Sequence, residues 1–228
     1  MAAVTLSGGQ GGDGEVAALS QHMPSRDLLF ATTISRAPLA GRGTARVLAE
    51  LKAAALSIAR EDRAGQRWSK ANGYAGYTSY ASLDDLVWRS PDVADLVRRL
   101  DVHAAAFTRA VDLDLAGAKL ELDSIWINVL QRGGAHSGHI HPNCIVSGTV
   151  YVDVPAGAGA IRFEDPRLGF MMAAPPRKSK ARTHNRTFHE IAPSAGTVLL
   201  WESWLRHEVL PNRARRPRIS ISFNYRLG

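Results

Sequence analysis

The sequence predicts an α+β protein that is mainly β, with a helical first half packed on a β-rich second half. Up to about residue 115, apolar residues recur every three or four positions, as in amphipathic helices. After Gly117 the period changes to two, which is typical of strands. The later strands are short and separated by Gly, Pro and Asn turns, and this spacing favours a jelly-roll or cupin-like barrel over a parallel sheet.

The first half of the chain is predicted to supply one strand and the supporting helices. An apolar and β-branched run predicts a strand at 28–34, and helical spacing predicts a helix at 43–60. A Gly/Tyr-rich loop follows at 68–79, then a short capped helix at 82–86. A longer amphipathic helix is expected from Pro91 to about Leu115, since proline is favoured in the first turn.

The second half is predicted to form the barrel, beginning with the alternating strand 120–130. We expect a flexible N-terminal arm at 1–25 and a single domain at 26–228, divided into a helical part (26–117) and a β part (118–228). The further strands are expected at 145–154, 160–164, 187–191, 197–202 and 218–226.

Composition narrows the class of protein. The single cysteine, Cys144, excludes an intramolecular disulfide and a multi-cysteine metal site. No apolar run approaches the roughly 20 residues that span a bilayer, and the N-terminus lacks signal-peptide features, so we expect a cytoplasmic protein without membrane contact. The net charge of +7 is spread along the chain without a nucleic-acid motif. Nucleic acid is therefore not an expected partner, and a homodimer is the default assembly.

Three histidines form the clearest chemical pattern. His139 and His141 are two residues apart, so in an extended strand both imidazoles point to one face. A later strand that brings in His207 would complete a three-nitrogen metal site with open positions, which is the type of site that does chemistry. Two histidines on a solvent-facing strand are the simpler interpretation of the first pair alone.

The last strand separates an apolar face from a polar one. Ile219 and Ile221 alternate with Arg218 and Ser220. If the apolar face packs on the helices, the polar face points into the mouth of the barrel. A guanidinium there matches a carboxylate in two parallel hydrogen bonds.

Three segments together resemble the small bacterial 2-oxoglutarate/Fe(II) oxygenases. They are HIHPNCIVSGTVYVDVP from His139, GTVLLWESWLRHEVLPN from Gly196 and RISISFNYRL from Arg218, and WIN from Trp126 also fits. The resemblance covers roughly residues 120–227. It implies a double-stranded β-helix with one non-haem Fe(II), and O2 and 2-oxoglutarate as co-substrates. The implied residues are His139, His141 and His207 for the metal, Arg218 for the far carboxylate of 2-oxoglutarate, and Ser220, Asn128 and Tyr151 for hydrogen bonds to it.

The resemblance also implies an activity, the hydroxylation of a C–H bond with succinate and CO2 as co-products. The chain departs from the broader superfamily at His141, where most members have a carboxylate. Asp153 or Glu164 on a neighbouring strand is an alternative source of that carboxylate.

The substrate pocket is expected between two loops, and its substrate is a small molecule or a peptide. Trp68 and Tyr77 belong to the Gly/Tyr-rich loop. The long basic segment 165–186 has an apolar centre at Phe170 and Met171 and is interpreted as a lid. Trp204 is a candidate for the rim.

Two other functions remain open from the sequence. Three histidines on a barrel also hold the zinc of hydrolases and hydratases, with water in the open position. The barrel mouth and the basic segment would alternatively suit a non-enzymatic module that binds an acidic ligand.

Overall fold

The computed structural model describes residues 25–228, and every helix and strand of that part of the chain lies between Ile34 and Leu227. Residues Thr33–Gly228 form one compact unit. The arm expected at 1–25 lies outside the described residues except for Ser25.

Two antiparallel sheets form the core of the structure, which confirms the predicted mainly-β fold with supporting helices. The strand order is β1-β8-β5-β10-β3-β2 in the larger sheet and β4-β9-β6-β7 in the smaller one. The strands are β1 (Ile34–Pro38), β2 (Gly76–Thr78), β3 (Leu120–Leu130), β4 (His136–His139), β5 (Val146–Asp153), β6 (Ile161–Glu164), β7 (Phe188–Ile191), β8 (Thr197–Glu202), β9 (His207–Val209) and β10 (Arg218–Leu227).

Within residues 25–228, four α-helices precede the main strands, and local sequence explains where two of them begin. The Asp62 carboxylate accepts a hydrogen bond from the Gly65 N–H, and Ser90 Oγ accepts one from the Val93 N–H, so both residues act as N-caps. The helices are α1 (Thr44–Glu61), α2 (Arg63–Ala71), α3 (Leu86–Arg89) and α4 (Pro91–Ala110).

Two apolar layers fix the position of the sheets. Leu51 of α1 and Leu100 of α4 pack with Ile221 of β10, so the helices cover the outer face of the larger sheet. On its inner face, Trp201 packs with Phe163 of the smaller sheet. The polar side chains of β10 are therefore directed into the space between the sheets, as the alternation predicts.

Several boundaries in the helical half differ from the prediction. The prediction of a strand at 28–34 is wrong, because Phe30 has φ 57° and interrupts an extended run. The strand β1 begins only at Ile34. The Asp62 N-cap starts a helix over part of the expected loop 68–79. The short helix expected at 82–86 begins at Leu86, and the long one ends at Ala110.

Among residues 25–228, no helix has both the length and the apolar character that crossing a bilayer requires.

Candidate metal centre

The three histidines meet between the two sheets. His139 ends β4 and lies opposite His207 of β9 in the antiparallel register. His141 follows the end of β4, so the expectation that His139 and His141 share one strand is wrong. The N–H of His141 donates to the Ser203 carbonyl oxygen at 3.0 Å, which holds the turn against the end of β8. One ligand atom from each of the three residues lies within 4.8 Å of the others, close enough to hold one metal ion.

Backbone carbonyls orient two of the rings. His139 Nδ1 lies 2.6 Å from the Ser137 carbonyl oxygen, and His207 Nδ1 lies 2.9 Å from that of Leu205. A carbonyl oxygen only accepts, so each Nδ1 carries the proton and donates it, which leaves the Nε2 lone pair free for a metal. The Nε2 atoms of His141 and His207 lie 3.4 Å apart.

Burial keeps two of the three histidines in the form that binds metals. It lowers the pKa of His207 to about 3 and that of His141 to about 4, because desolvation disfavours the imidazolium. Trp126 stacks on His141 with ring centroids 5.7 Å apart, and Trp201 lies 4.7 Å from His207. The rings are therefore neutral near pH 7 and are partly shielded from water by indoles.

The two carboxylates considered as further ligands lie elsewhere. Asp153 pairs with Lys52 at 2.6 Å, and Glu164 pairs with Arg206 at 3.2 Å. Neither belongs to the cluster that brings the three histidines together. Within the described chain, the donor set at this centre is three imidazoles, and it fits a metal with open positions such as non-haem iron.

Arg218 is a buried cation that lines the same cavity between the sheets as the three histidines. Only 3% of the residue is exposed, its Nε has no hydrogen-bond partner among the described residues, and its Cζ lies 4.9 Å from the Tyr151 ring centroid. Burial lowers the pKa of Arg218, and the side chains that oppose this effect are Tyr151 and Tyr74, not carboxylates. Its charge is thus not neutralised by an acidic side chain of the described chain.

The other predicted co-substrate residues lie near Arg218. Ser220 of β10 lies opposite Asn128 of β3 in the register, and both line the cavity. Tyr151 of β5 also lies opposite Ser220. The Tyr151 hydroxyl is buried and has no hydrogen-bond partner among the described residues. Its pKa is raised by burial.

Two further residues that line the cavity, Tyr74 and His136, were not among the predicted site residues. The Tyr74 hydroxyl lies 2.7 Å from His136 Nε2 and 3.3 Å from Asn128 Oδ1. Burial raises the pKa of Tyr74 and lowers that of His136 to about 3. Tyr74 reaches the cavity from the loop after α2, 54 residues before Asn128, so no local sequence pattern indicates the contact.

The cavity has a volume of about 680 Å³. Of the predicted pocket residues, Trp68 lines it. Tyr77 is buried beside the helices, where its hydroxyl donates to Asp62 Oδ2 at 2.8 Å. Phe170, Met171 and Trp204 are not among the described residues that line the cavity, and Phe170 is 90% exposed. The described residues that line the cavity are Trp68, Tyr74, Thr78, Tyr80, Asp123, Ser124, Trp126, Asn128, His136, His139, Ile140, His141, Pro142, Cys144, Gly148, Thr149, Ile161, Trp201, His207, Val209, Arg218, Ser220, Ser222 and Asn224.

Several solved structures share the fold of this chain. The non-heme alpha ketoglutarate dependent epimerase SnoN from nogalamycin biosynthesis is 18% identical, with a TM-score of 0.55 over 86% of this chain and 76% of SnoN. A second SnoN structure contains Fe3+, alpha ketoglutarate and nogalamycin RO, at 17% identity, TM-score 0.55 and coverage of 86% and 79%. A Pseudomonas putida prolyl-4-hydroxylase is 16% identical, with a TM-score of 0.51 over 87% of each chain.

A third protein, an oxidoreductase of the 2OG-Fe(II) oxygenase family from Burkholderia pseudomallei, is 17% identical with a TM-score of 0.42, and the chain spans 57% of its length. A comparison with curated protein sequences finds no match.

A family model matches the β half of the chain. Residues 124–224 match the family described as "Putative 2OG-Fe(II) oxygenase". The matched segment runs from β3 to β10 and contains all three clustered histidines and Arg218. The cofactors of this family are Fe(II) and 2-oxoglutarate, and the three-histidine cluster fits iron. Residues 124–224 therefore resemble a 2OG-Fe(II) oxygenase domain in sequence, and the chain shares its fold with SnoN and the prolyl-4-hydroxylase.

Proposed function

We propose that this protein hydroxylates a C–H bond of a small molecule or peptide, with His139, His141 and His207 as iron ligands and Arg218 as the anchor of 2-oxoglutarate. The observation that carries the proposal is a cavity containing both a three-histidine cluster and a buried arginine without an acidic partner among the described residues. A metal site and an anion site in one cavity suit a co-substrate that chelates with one end and ion-pairs with the other.

The histidines would hold the metal rigidly. The carbonyl oxygens of Ser137 and Leu205 fix the rings of His139 and His207, so their Nε2 atoms are directed before the ion arrives. Three neutral ligands leave the full +2 charge on the ion. The dianionic co-substrate would balance that charge, which favours co-substrate binding after metal binding.

Arg218 would bind the far carboxylate of 2-oxoglutarate. Its fork of N–H donors matches a carboxylate, and burial strengthens the ion pair. Ser220 and Asn128 lie beside it and offer further hydrogen-bonding groups. Tyr74 and His136 close the same end of the cavity.

Bound Fe(II) and 2-oxoglutarate would supply the oxidation, in which O2 is consumed, 2-oxoglutarate becomes succinate and CO2, and a substrate C–H becomes C–OH. The contribution of the chain is orientation and the exclusion of water. Trp126 and Trp201 flank the histidines and limit the access of water to the metal position.

The family match favours this function over the two alternatives. A zinc hydrolase needs the histidines but not an isolated cation beside them, and a non-enzymatic module needs no metal. Reactions named for proteins of this fold include both epimerisation and prolyl hydroxylation. Hydroxylation is proposed because it requires only the groups present here, the metal site and the co-substrate anchor.

Succinate formation tests the proposal. We expect the purified protein to convert 2-oxoglutarate into succinate only when both Fe(II) and O2 are present, slowly without primary substrate. His207→Ala should abolish this turnover, because it removes a ligand that the scaffold orients. His184→Ala is the matched control, since His184 is exposed and lies outside the cluster. Equal succinate from the wild type and His207→Ala, or none above background from the wild type, would refute the proposed function.

A further inference from the structure

Two side chains of opposite formal charge line the cavity. Among the described residues that line it, Asp123 and Arg218 are the only Asp, Glu, Lys or Arg. Arg218 lies six positions before Asn224 on β10, which is about 20 Å along an extended strand. Asn224 lies opposite Ser124 and donates a hydrogen bond from Nδ2 to Ser124 Oγ at 3.0 Å. Ser124 is the chain neighbour of Asp123. The carboxylate and the guanidinium therefore mark opposite ends of the cavity.

The histidine cluster lies between these ends. His141 stacks on Trp126, which lies opposite Ser222 in the middle of β10. With 2-oxoglutarate between Arg218 and the metal, the remaining space extends from the metal toward Asp123. Asp123 is three positions from Trp126 on β3, about 10 Å along the strand. This distance limits the length of the substrate part between the metal and the carboxylate.

Aromatic surface lines the same part of the cavity. Tyr80 packs edge-on against Trp126 with ring centroids 5.3 Å apart, and 63% of Tyr80 is exposed. Trp68 is 37% exposed and also lines the cavity, as does Ile140. Exposed aromatic faces bind planar apolar groups, and they attract cations through the ring quadrupole.

Asp123 retains the capacity to bind a ligand. Its ion pair with Arg226 is long, at 3.8 Å, and the Arg226 side chain is 60% exposed. The Cys144 thiol, whose Sγ lies 3.7 Å from Asp123 Oδ2, is a weak donor. A substrate ammonium within hydrogen-bond distance would bind Asp123 more strongly than the distant Arg226 or the weak thiol donor does. Arg218, the other charged residue among the described ones that line the cavity, lies at the opposite end.

We propose that Asp123 binds the basic nitrogen of the primary substrate, which is therefore an amine with an aromatic or otherwise apolar frame. This inference rests on the proposed function, because Arg218 is assigned to 2-oxoglutarate. The aromatic walls would hold the frame, and Asp123 would orient it so that a carbon within about 10 Å of the nitrogen faces the metal.

Three probes with one frame and different charges test the inference. Phenethylamine, 2-phenylethanol and 3-phenylpropionate are titrated calorimetrically into the anaerobic protein loaded with Fe(II) and 2-oxoglutarate. We expect the amine to bind at least tenfold more tightly than the alcohol and the acid. Asp123→Asn should remove this preference, and Arg226→Gln should increase it, because the competing cation is gone.

Glu121→Gln is the matched control. It removes the same charge from the same strand, but Glu121 does not line the cavity, so the amine preference should persist. Equal affinities for amine and alcohol, undetectable amine binding at millimolar concentration, or equal effects of Asp123→Asn and Glu121→Gln would each overturn the inference. Loading of 2-oxoglutarate is followed in the same samples. Loading without amine preference refutes only this inference, whereas failure to load refutes the proposed function.

Discussion

At the level of single residues, the site depends on histidines that the fold keeps neutral. The pKa of His207 and that of His136 are lowered to about 3, and that of His141 to about 4, in each case mainly by burial. A neutral imidazole is the form that binds a metal, so near pH 7 no proton has to leave these rings first. The same burial makes the metal-free protein sensitive to acid.

The acid sensitivity has a definite sign. An unfolded histidine takes up a proton near pH 6.5, whereas these folded histidines do so only near pH 3 to 4. Between these values the unfolded state binds more protons, so the free energy of unfolding falls as the pH drops from about 6.5 to 4. The contribution of His207, which is buried, is roughly 1 to 2 kcal/mol at pH 5.

Denaturant unfolding of the metal-free protein at pH 7 and pH 5 checks this prediction. His207→Asn should lose less stability between the two values than the wild type does. The same replacement at the exposed His184 should keep the wild-type difference. An unchanged difference in His207→Asn would show that the buried ring does not contribute to the acid sensitivity.

At the level of elements, the site depends on close packing of β5 between β8 and β10. Gly148 of β5 lies where a Cβ would meet the Phe223 ring and would approach the Leu199 carbonyl oxygen to 2.6 Å. Backbone atoms of a central strand cannot move aside cheaply. We expect Gly148→Ala to lower the free energy of unfolding by about 1 to 3 kcal/mol through overpacking.

Thermal and denaturant unfolding measure this effect, and Gly169→Ala provides the comparison. Gly169 lies in an exposed 3-10 helix, Leu168–Phe170, where an added Cβ meets nothing within 4 Å. The Gly169 variant should match the wild type. If both variants match the wild type, the strand packing is looser than the structure indicates.

Most strands of the β half were predictable because successive side chains there point to opposite faces of the sheet, but β4 and β9, which carry His139 and His207, were not among the expected strands. On β10, Ile219, Ile221 and Phe223 enter the core while Arg218 and Ser220 line the cavity, as the alternation indicates. Contacts that are distant in the chain were not predictable in this way. Tyr74 reaches Asn128 in the cavity from a loop, and Tyr77 is drawn away from the cavity by its hydrogen bond to Asp62. The spacing of residues in sequence does not report either contact.

At the level of the whole molecule, the helices and sheets have separate tasks. The helices cover the outer face of the larger sheet, and Tyr225 of β10 donates from its hydroxyl to Asp101 of α4 at 2.7 Å. The inner face is then available for polar and charged side chains that would otherwise be costly to bury. The cavity consequently has a cation at one end, a three-histidine cluster between the ends and a carboxylate at the other end.

Anaerobic titration with Fe(II) and then 2-oxoglutarate, followed by visible charge-transfer absorption, tests the central claim most directly. We predict a band in the wild type and none in His139→Ala. In Arg218→Ala the band should require higher 2-oxoglutarate concentrations, while Arg216→Ala, an exposed arginine near the start of the same strand, should match the wild type. No band in the wild type, with Zn2+ bound tightly instead, would contradict the assignment of iron and 2-oxoglutarate to this cavity.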